Sequence, residues 1–346
     1  MAKLSSYDRL IRTVTRDVTN HPRDLTRYYM DLLNISRAAA SKHIRRLETE
    51  GWIARSGPLT HPVFSSGYKR RISKMYKLSG LEEDRVWAND FKPYFEFKDN
   101  VRNIVIFGFT EMLNNAIDHS TGENVFVWLT SDESKVFIVI SDDGVGIFSK
   151  IAVELGLSDM RQALFELSKG KFTTAPDKHS GEGVFFTSRM FDLFEIEANN
   201  LRFSHQDARP KDIIHELQGS EKIFESGTAV IMSIELNSNR QPADIYAQFA
   251  NSPEELNFSK TIIPMKLAQF GDEQLVSRSQ AKRLIARFDR FKTVVLNFEG
   301  VTEIGQAFAD ELFRVYGNSH PDVEIVPVGM SKQIEQMWQR VKSESN

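Results

Sequence analysis

Glu111-Met-Leu-Asn114-Asn115-Ala-Ile-Asp118-His119-Ser120, then Val136-Phe-Ile-Val-Ile-Ser141-Asp142-Asp143-Gly144-Val145-Gly146, then Ser180-Gly181-Glu182-Gly183-Val184-Phe185-Phe186 decide the fold of the middle of this chain. In the first piece Glu111 and Asn115 are four residues apart in a helical context, so their side chains share one face. The second is an apolar strand running into an acidic, glycine-bearing turn, where backbone can approach a ligand closely. The third reads as a glycine turn opening a helix, and exposed N–H groups at a helix start suit phosphate.

Singly, such patterns are common. Their order is informative: a carboxylate and a carboxamide on one helix, an acidic turn after a strand, and a glycine-rich helix start 35 residues beyond Gly146. This resembles the GHKL ATPases, the family of gyrase and the histidine kinases, and implies a Bergerat-type α/β sandwich over residues 101–240 with ATP and Mg2+ as cofactors. By that resemblance Asn115 is the metal ligand, its amide oxygen being a hard donor. Asp142 receives the adenine amino group, with Gly144 and Gly146 beside the base. Ser180, Gly181, Glu182 and Gly183 surround the phosphates, and Glu111 positions the attacking water.

Two departures stand out. Phe185 occupies the place of a third glycine, and Asp118 replaces a basic residue common in sensor kinases. Phosphate neutralisation is therefore expected from Lys169 and Lys171, in Lys169-Gly-Lys171-Phe-Thr173-Thr174, with the two threonines alongside. That segment is no Walker A loop, because Phe165 stands where the pattern needs glycine. Residues 148–178 are expected to form a lid over the nucleotide.

The 346 residues exceed one ordinary domain, and a composition 41% hydrophobic and 26% charged is that of a soluble globular protein; with the resemblances, an α/β multidomain chain is expected. No cysteine is present and the 8 histidines show no metal-binding pairing, so Mg2+ is the one metal expected. Without a signal-like start or a long apolar run, a cytoplasmic protein with no membrane partner is expected. The net charge of −3 conceals an asymmetry: residues 1–80 carry 16 Lys and Arg against 6 Asp and Glu, a net +10. A basic module that meets a polyanion is the reading, with docking on the acidic remainder as the alternative.

Within residues 1–80, helices are expected at 5–20, 23–33 and 36–48, a strand from Trp52, and a returning basic strand over Lys69–Leu78. This order resembles a bacterial winged helix-turn-helix. The resemblance implies duplex DNA as partner, with Arg37, Ser41, Lys42 and Arg45 toward the major groove and Lys69, Arg70 and Arg71 near a wing that meets backbone. Residues 81–100, rich in aromatics, read as a connector packed on the next domain.

Residues 258–346 alternate helix and strand, which argues a small α/β layer. Val294–Phe313 is similar to STAS domains, and closer to the STAS-like DUF4325 domain; a protein partner there is open, as is a homodimer. Gly305 and Gln306 fall where STAS phosphoacceptors have Asp and Ser, so no acceptor hydroxyl is expected. The combined expectation is a bacterial ATP-binding regulator, hydrolysing Mg-ATP and coupling nucleotide state to DNA binding. The alternatives are an anti-sigma-type serine/threonine protein kinase acting on a STAS-like partner, and a binding module in which ATP is structural.

Overall fold

The computed structural model describes residues 5–58, 60–172, 181–206, 209–217, 226–250, 258–269 and 274–343. The chain falls into two units, one of residues 1–145, 191–193 and 224–239, the other of 146–190, 194–223 and 240–346.

The first unit opens with three helices, α1 (Ser6–Asn20), α2 (Leu25–Leu33) and α3 (Arg37–Thr49). Each starts or stops for a local reason. The Ser5 side chain caps α1 and forms a reciprocal pair with Asp8. Asn34 ends α2 in the left-handed region, and Ser36 caps α3 through the Ala39 N–H. Tyr7, Leu10, Val14 and Val18 of α1 close a core with Leu25, Tyr29, Ala40, Ile44 and Leu47. Full burial is worth roughly 1.5–3 kcal/mol for each large apolar side chain, so this stripe is what holds the three helices together.

A hairpin follows, β1 (Ile53–Ser56) and β2 (Val63–Ser66), paired antiparallel from Ile53↔Ser66 to Ser56↔Val63. The returning strand is thus Val63–Ser66, whose Phe64 adds to the helical core, and not Lys69–Leu78. That basic segment becomes β3 (Arg70–Lys77), paired over its whole length with β4 (Asn124–Ser131), whose Val125, Val127 and Leu129 alternate inward. Pairing with β4 satisfies the backbone groups along one edge of β3 over eight residues, twice what a four-residue partner would offer. A short helix α4 (Glu83–Val86) runs on through a π-turn to Phe91, and α5 (Asp99–His119) packs on β5 (Lys135–Asp142). Trp87 and Phe91 lie 5.1 and 5.2 Å, ring to ring, from Phe109 of α5.

The strand order in this unit is β3-β4-β5-β9, β9 being Thr228–Glu235, and all three pairings are antiparallel. Residues 1–80 are therefore not set apart from 101–145: β3 belongs to the sheet, and the Arg71 N–H donates to Thr15 Oγ1 of α1 at 2.9 Å.

The second unit carries α6 (Ile147–Glu154), α7 (Met160–Lys169) and α8 (Gly183–Met190), then strands β6 (Leu193–Ala198), β7 (Leu201–Gln206) and β8 (Arg209–Glu216) in that order. After α9 (Pro242–Gln248) come β10 (Lys260–Pro264), α10 (Arg278–Ile285) and β11 (Thr293–Asn297). A helical run, α11 (Gln306–Ala309) through a π-turn into α12 (Tyr316–Ser319), leads to β12 (Glu324–Val328) and α13 (Lys332–Ser343). Strands β10, β11 and β12 form a parallel three-stranded sheet, as the helix-strand alternation predicts. Within this unit α7 is tied to the C-terminal region by buried polar bonds described below. No helix among the described residues is long and apolar enough to cross a membrane.

Candidate nucleotide and DNA sites

In the first unit α5 turns Met112, Leu113 and Ala116 into the core and leaves Glu111 and Asn115 half-buried one turn apart. The Asn115 side-chain nitrogen contacts Met112 Sδ at 3.9 Å, a weak contact that does not use the carbonyl oxygen. Strand β5 delivers Asp142, which is buried; its Oδ1 accepts from Gly144 N at 2.9 Å and Thr228 N at 3.2 Å. Burial raises the Asp142 carboxyl above its ordinary value, against the lowering pull of those N–H donors.

Its neighbour Asp143 is exposed and spends its carboxylate on the turn, accepting from the Glu123 and Asn124 N–H groups at 2.8 and 2.9 Å. Those bonds hold Asp143 below its ordinary value. Gly144 is required by close approach: a Cβ there would sit 2.0 Å from the Ser120 carbonyl oxygen at the end of α5. The helix carrying Glu111 and Asn115 and the turn carrying Asp142 are thereby locked together, with Val145 N–H donating to the same carbonyl at 3.0 Å.

In the second unit Gly146 precedes α6 as its N-cap, and Gly181, Glu182 and Gly183 lead into α8, as the sequence predicts. Thr173, Thr174 and Ser180 lie outside the described residues. Gly181 has φ 74°, and a Cβ on it would meet the Phe172 backbone at 2.5 Å. The Phe172 N–H donates to the Gly181 carbonyl at 3.2 Å, so the two loops are stitched directly. Phe185 belongs to an aromatic cluster, 4.4 Å from Phe258 and 4.9 Å from Phe249, with Arg189 stacked 3.5 Å above it. Packing explains a phenylalanine in the place of a third glycine.

The two lysines do not behave as the sequence suggests. Lys169 is wholly buried: its Nζ donates to Glu166 Oε1 at 2.5 Å and to the carbonyls of Ala286 at 3.0 Å and Arg283 at 3.5 Å. Burial pushes its pKa down to about 8, against the opposing pull of Glu166. An amine enclosed this way cannot reach a phosphate. Lys171 is half-buried and donates to the Arg290 carbonyl at 2.9 Å, its pKa lowered by burial. It shares the wall of a cavity of about 430 Å3 with Glu182, Ser259, Arg290 and Lys292. Glu166 and Arg287, which organise this region, carry no motif and were not legible in the sequence.

On α3, Arg37, Lys42 and Arg45 are exposed and Ser41 is half-exposed, while Ala40, Ile44 and Leu47 face the core. Lys69, Arg70 and Arg71 depart from the expected wing. Arg70 Nη1 donates to the Tyr94 carbonyl at 2.8 Å, Arg71 stacks 4.7 Å from the Trp128 ring centroid, and the Lys69 amine lies 5.9 Å from the Trp52 and Tyr68 rings. Arg70 is thereby engaged by the connector and Arg71 by the sheet, while Lys69 stays half-exposed beside the hairpin.

In the C-terminal region Gly305 caps α11 and Gln306 is exposed at its start, on the loop that follows β11. Residues 280–335 match the family described as STAS-like domain of unknown function (DUF4325), so the C-terminal expectation holds from α10 into α13. No curated protein matches the chain.

Proposed function

We propose that this protein is an ATP-binding regulator of the GHKL class that hydrolyses Mg-ATP and also binds duplex DNA through a winged-helix-like N-terminal segment. The observation that carries the nucleotide reading is the buried Asp142 turn, pinned by Gly144 and Thr228 amides and held against the end of the helix that bears Glu111 and Asn115. A buried carboxylate beside backbone that passes too close for a side chain is suited to a flat, amine-bearing base. With both amide bonds on Oδ1, Oδ2 is the acceptor for the base's amino group. Asn115 would hold Mg2+ through its carbonyl oxygen, and the ion would bring charge neutralisation to the phosphates.

Glu111, one turn before Asn115, would orient water and take its proton. Glu111→Gln should keep ATP binding and lose phosphate release by about 10² to 10⁴, the usual size of a general-base contribution. Equal release by wild type and variant at saturating Mg-ATP removes Glu111 from that role. Label recovered on protein, not as free phosphate, would favour the kinase alternative.

For DNA, the support is the exposed basic face of α3 on a three-helix core followed by a hairpin. With Arg70 and Arg71 engaged elsewhere, binding rests on Arg37, Lys42 and Arg45 with Ser41, and Lys69 beside the hairpin. Affinity of the full chain for duplex should fall steeply with salt, and Arg45→Ala should weaken a specific site by about 1–3 kcal/mol. Salt-independent affinity would make the module a protein-contact surface.

A further inference from the structure

We propose that Arg287, supplied by the C-terminal STAS-like domain, is a positioning residue that clamps the Lys169–Phe172 loop and so sets the glycine box at Gly181; this rests on the nucleotide reading above. Arg287 lies inside the matched segment 280–335. Its Nη2 donates to the carbonyls of Gly170 at 3.1 Å and Lys171 at 2.6 Å, and its Nη1 donates to Glu166 Oε2 at 2.9 Å. Arg290 adds a second donor to the Lys171 carbonyl at 2.9 Å, and Thr261 of β10 donates to the Lys169 carbonyl at 2.8 Å. Three successive carbonyls of one loop are thus bonded from the C-terminal region.

The loop needs holding. Gly170 and Lys171 have φ of 83° and 52°, and a non-glycine residue in the left-handed region is strained and persists only where its surroundings fix it. The planar guanidinium reaches the two carbonyls with Nη2 and the Glu166 carboxylate with Nη1, a spread of three acceptors that a compact ammonium on a flexible stem does not match. Arg287 also stacks 5.0 Å from the Phe172 ring centroid, and Phe172 N–H is bonded to Gly181. The path from the STAS-like domain to the glycine box is therefore one residue long. A change of state in that domain moves the phosphate-side loop through these bonds.

The test compares wild type, Arg287→Ala, Arg287→Lys and Arg290→Ala as full chains, by hydrogen exchange at residues 166–172 without nucleotide and by KM and kcat for ATP. Arg287→Ala should speed exchange on the order of tenfold. It should also raise KM about tenfold with kcat changed less than about twofold, the size of one or two lost hydrogen bonds. Arg287→Lys should not restore KM, and the exposed Arg290→Ala, which keeps the fold, should give a smaller shift of the same sign. Unchanged exchange, or faster exchange with unchanged KM in both Arg287→Ala and Arg290→Ala, overturns the inference while ATP turnover stands. A wild-type chain that neither binds nor turns over ATP overturns the nucleotide reading and this inference with it.

Discussion

The acidic turn at Asp142–Gly146 and the basic loop at Lys169–Phe172 look alike on paper, charged residues beside glycines between regular elements, yet the fold uses their charges in opposite ways. In the first, the Asp142 carboxylate is buried and bonded through one oxygen, while the exposed Asp143 accepts the N–H groups that shape the turn. In the second, Lys169 is enclosed by Glu166 and two carbonyls, while the half-buried Lys171 donates to the Arg290 carbonyl at the wall of a cavity. A charge in a glycine-bearing loop serves a ligand only when the chain has not already neutralised it.

The sharpest way to break that contrast is at Glu166, whose carboxylate pairs with both Lys169 and Arg287. Glu166→Gln leaves the buried Lys169 and the partly buried Arg287 without their shared carboxylate and should cost about 3–5 kcal/mol in denaturant unfolding, as breaking a buried pair does. Lys169→Met should cost far less, because Glu166 keeps Arg287, and its pH dependence has a definite sign. The folded pKa of Lys169 is lowered from 10.5 to about 8, so between those values the unfolded chain binds a proton that the folded chain releases. Wild-type stability should therefore gain on Lys169→Met as pH rises from 8 to 10.5. A flat difference over that range would mean the amine is not desolvated, and with it the claim that Lys169 is structural would go.

A smaller effect is expected at the acidic turn. Asp142→Asn should weaken ATP binding by about 1.5–3 kcal/mol, the range for a hydrogen bond to a charged group. Stability at neutral pH should be retained or increased. With the folded pKa raised above 3.8, wild type loses stability relative to the Asn variant as pH rises through that window, and the loss is complete above it. Nucleotide titration calorimetry with unfolding curves at acid and neutral pH would read both; unaltered affinity would remove Asp142 from the base site.

Local order was legible in the sequence. The helices α1 to α3, the start of α8, strand β11 and the last helix fall where apolar period, caps and glycines put them, because those signals act within a few residues. The Glu111/Asn115 spacing, the Asp142 turn and the STAS-like character of the C-terminal region were readable for the same reason. What spacing could not give was partner choice. Arg70–Lys77 is a basic strand in either pairing, and only the presence of β4 in the folded chain decides that it joins the sheet instead of a hairpin. Lys169 and Arg287 are 118 residues apart in sequence and one carboxylate apart in space, so no local pattern marks either. Desolvation depends on everything packed around a group, which is why tertiary structure alone decided that the Asp142 carboxylate is buried on two backbone amides and the Lys169 amine is enclosed by Glu166 and two carbonyls.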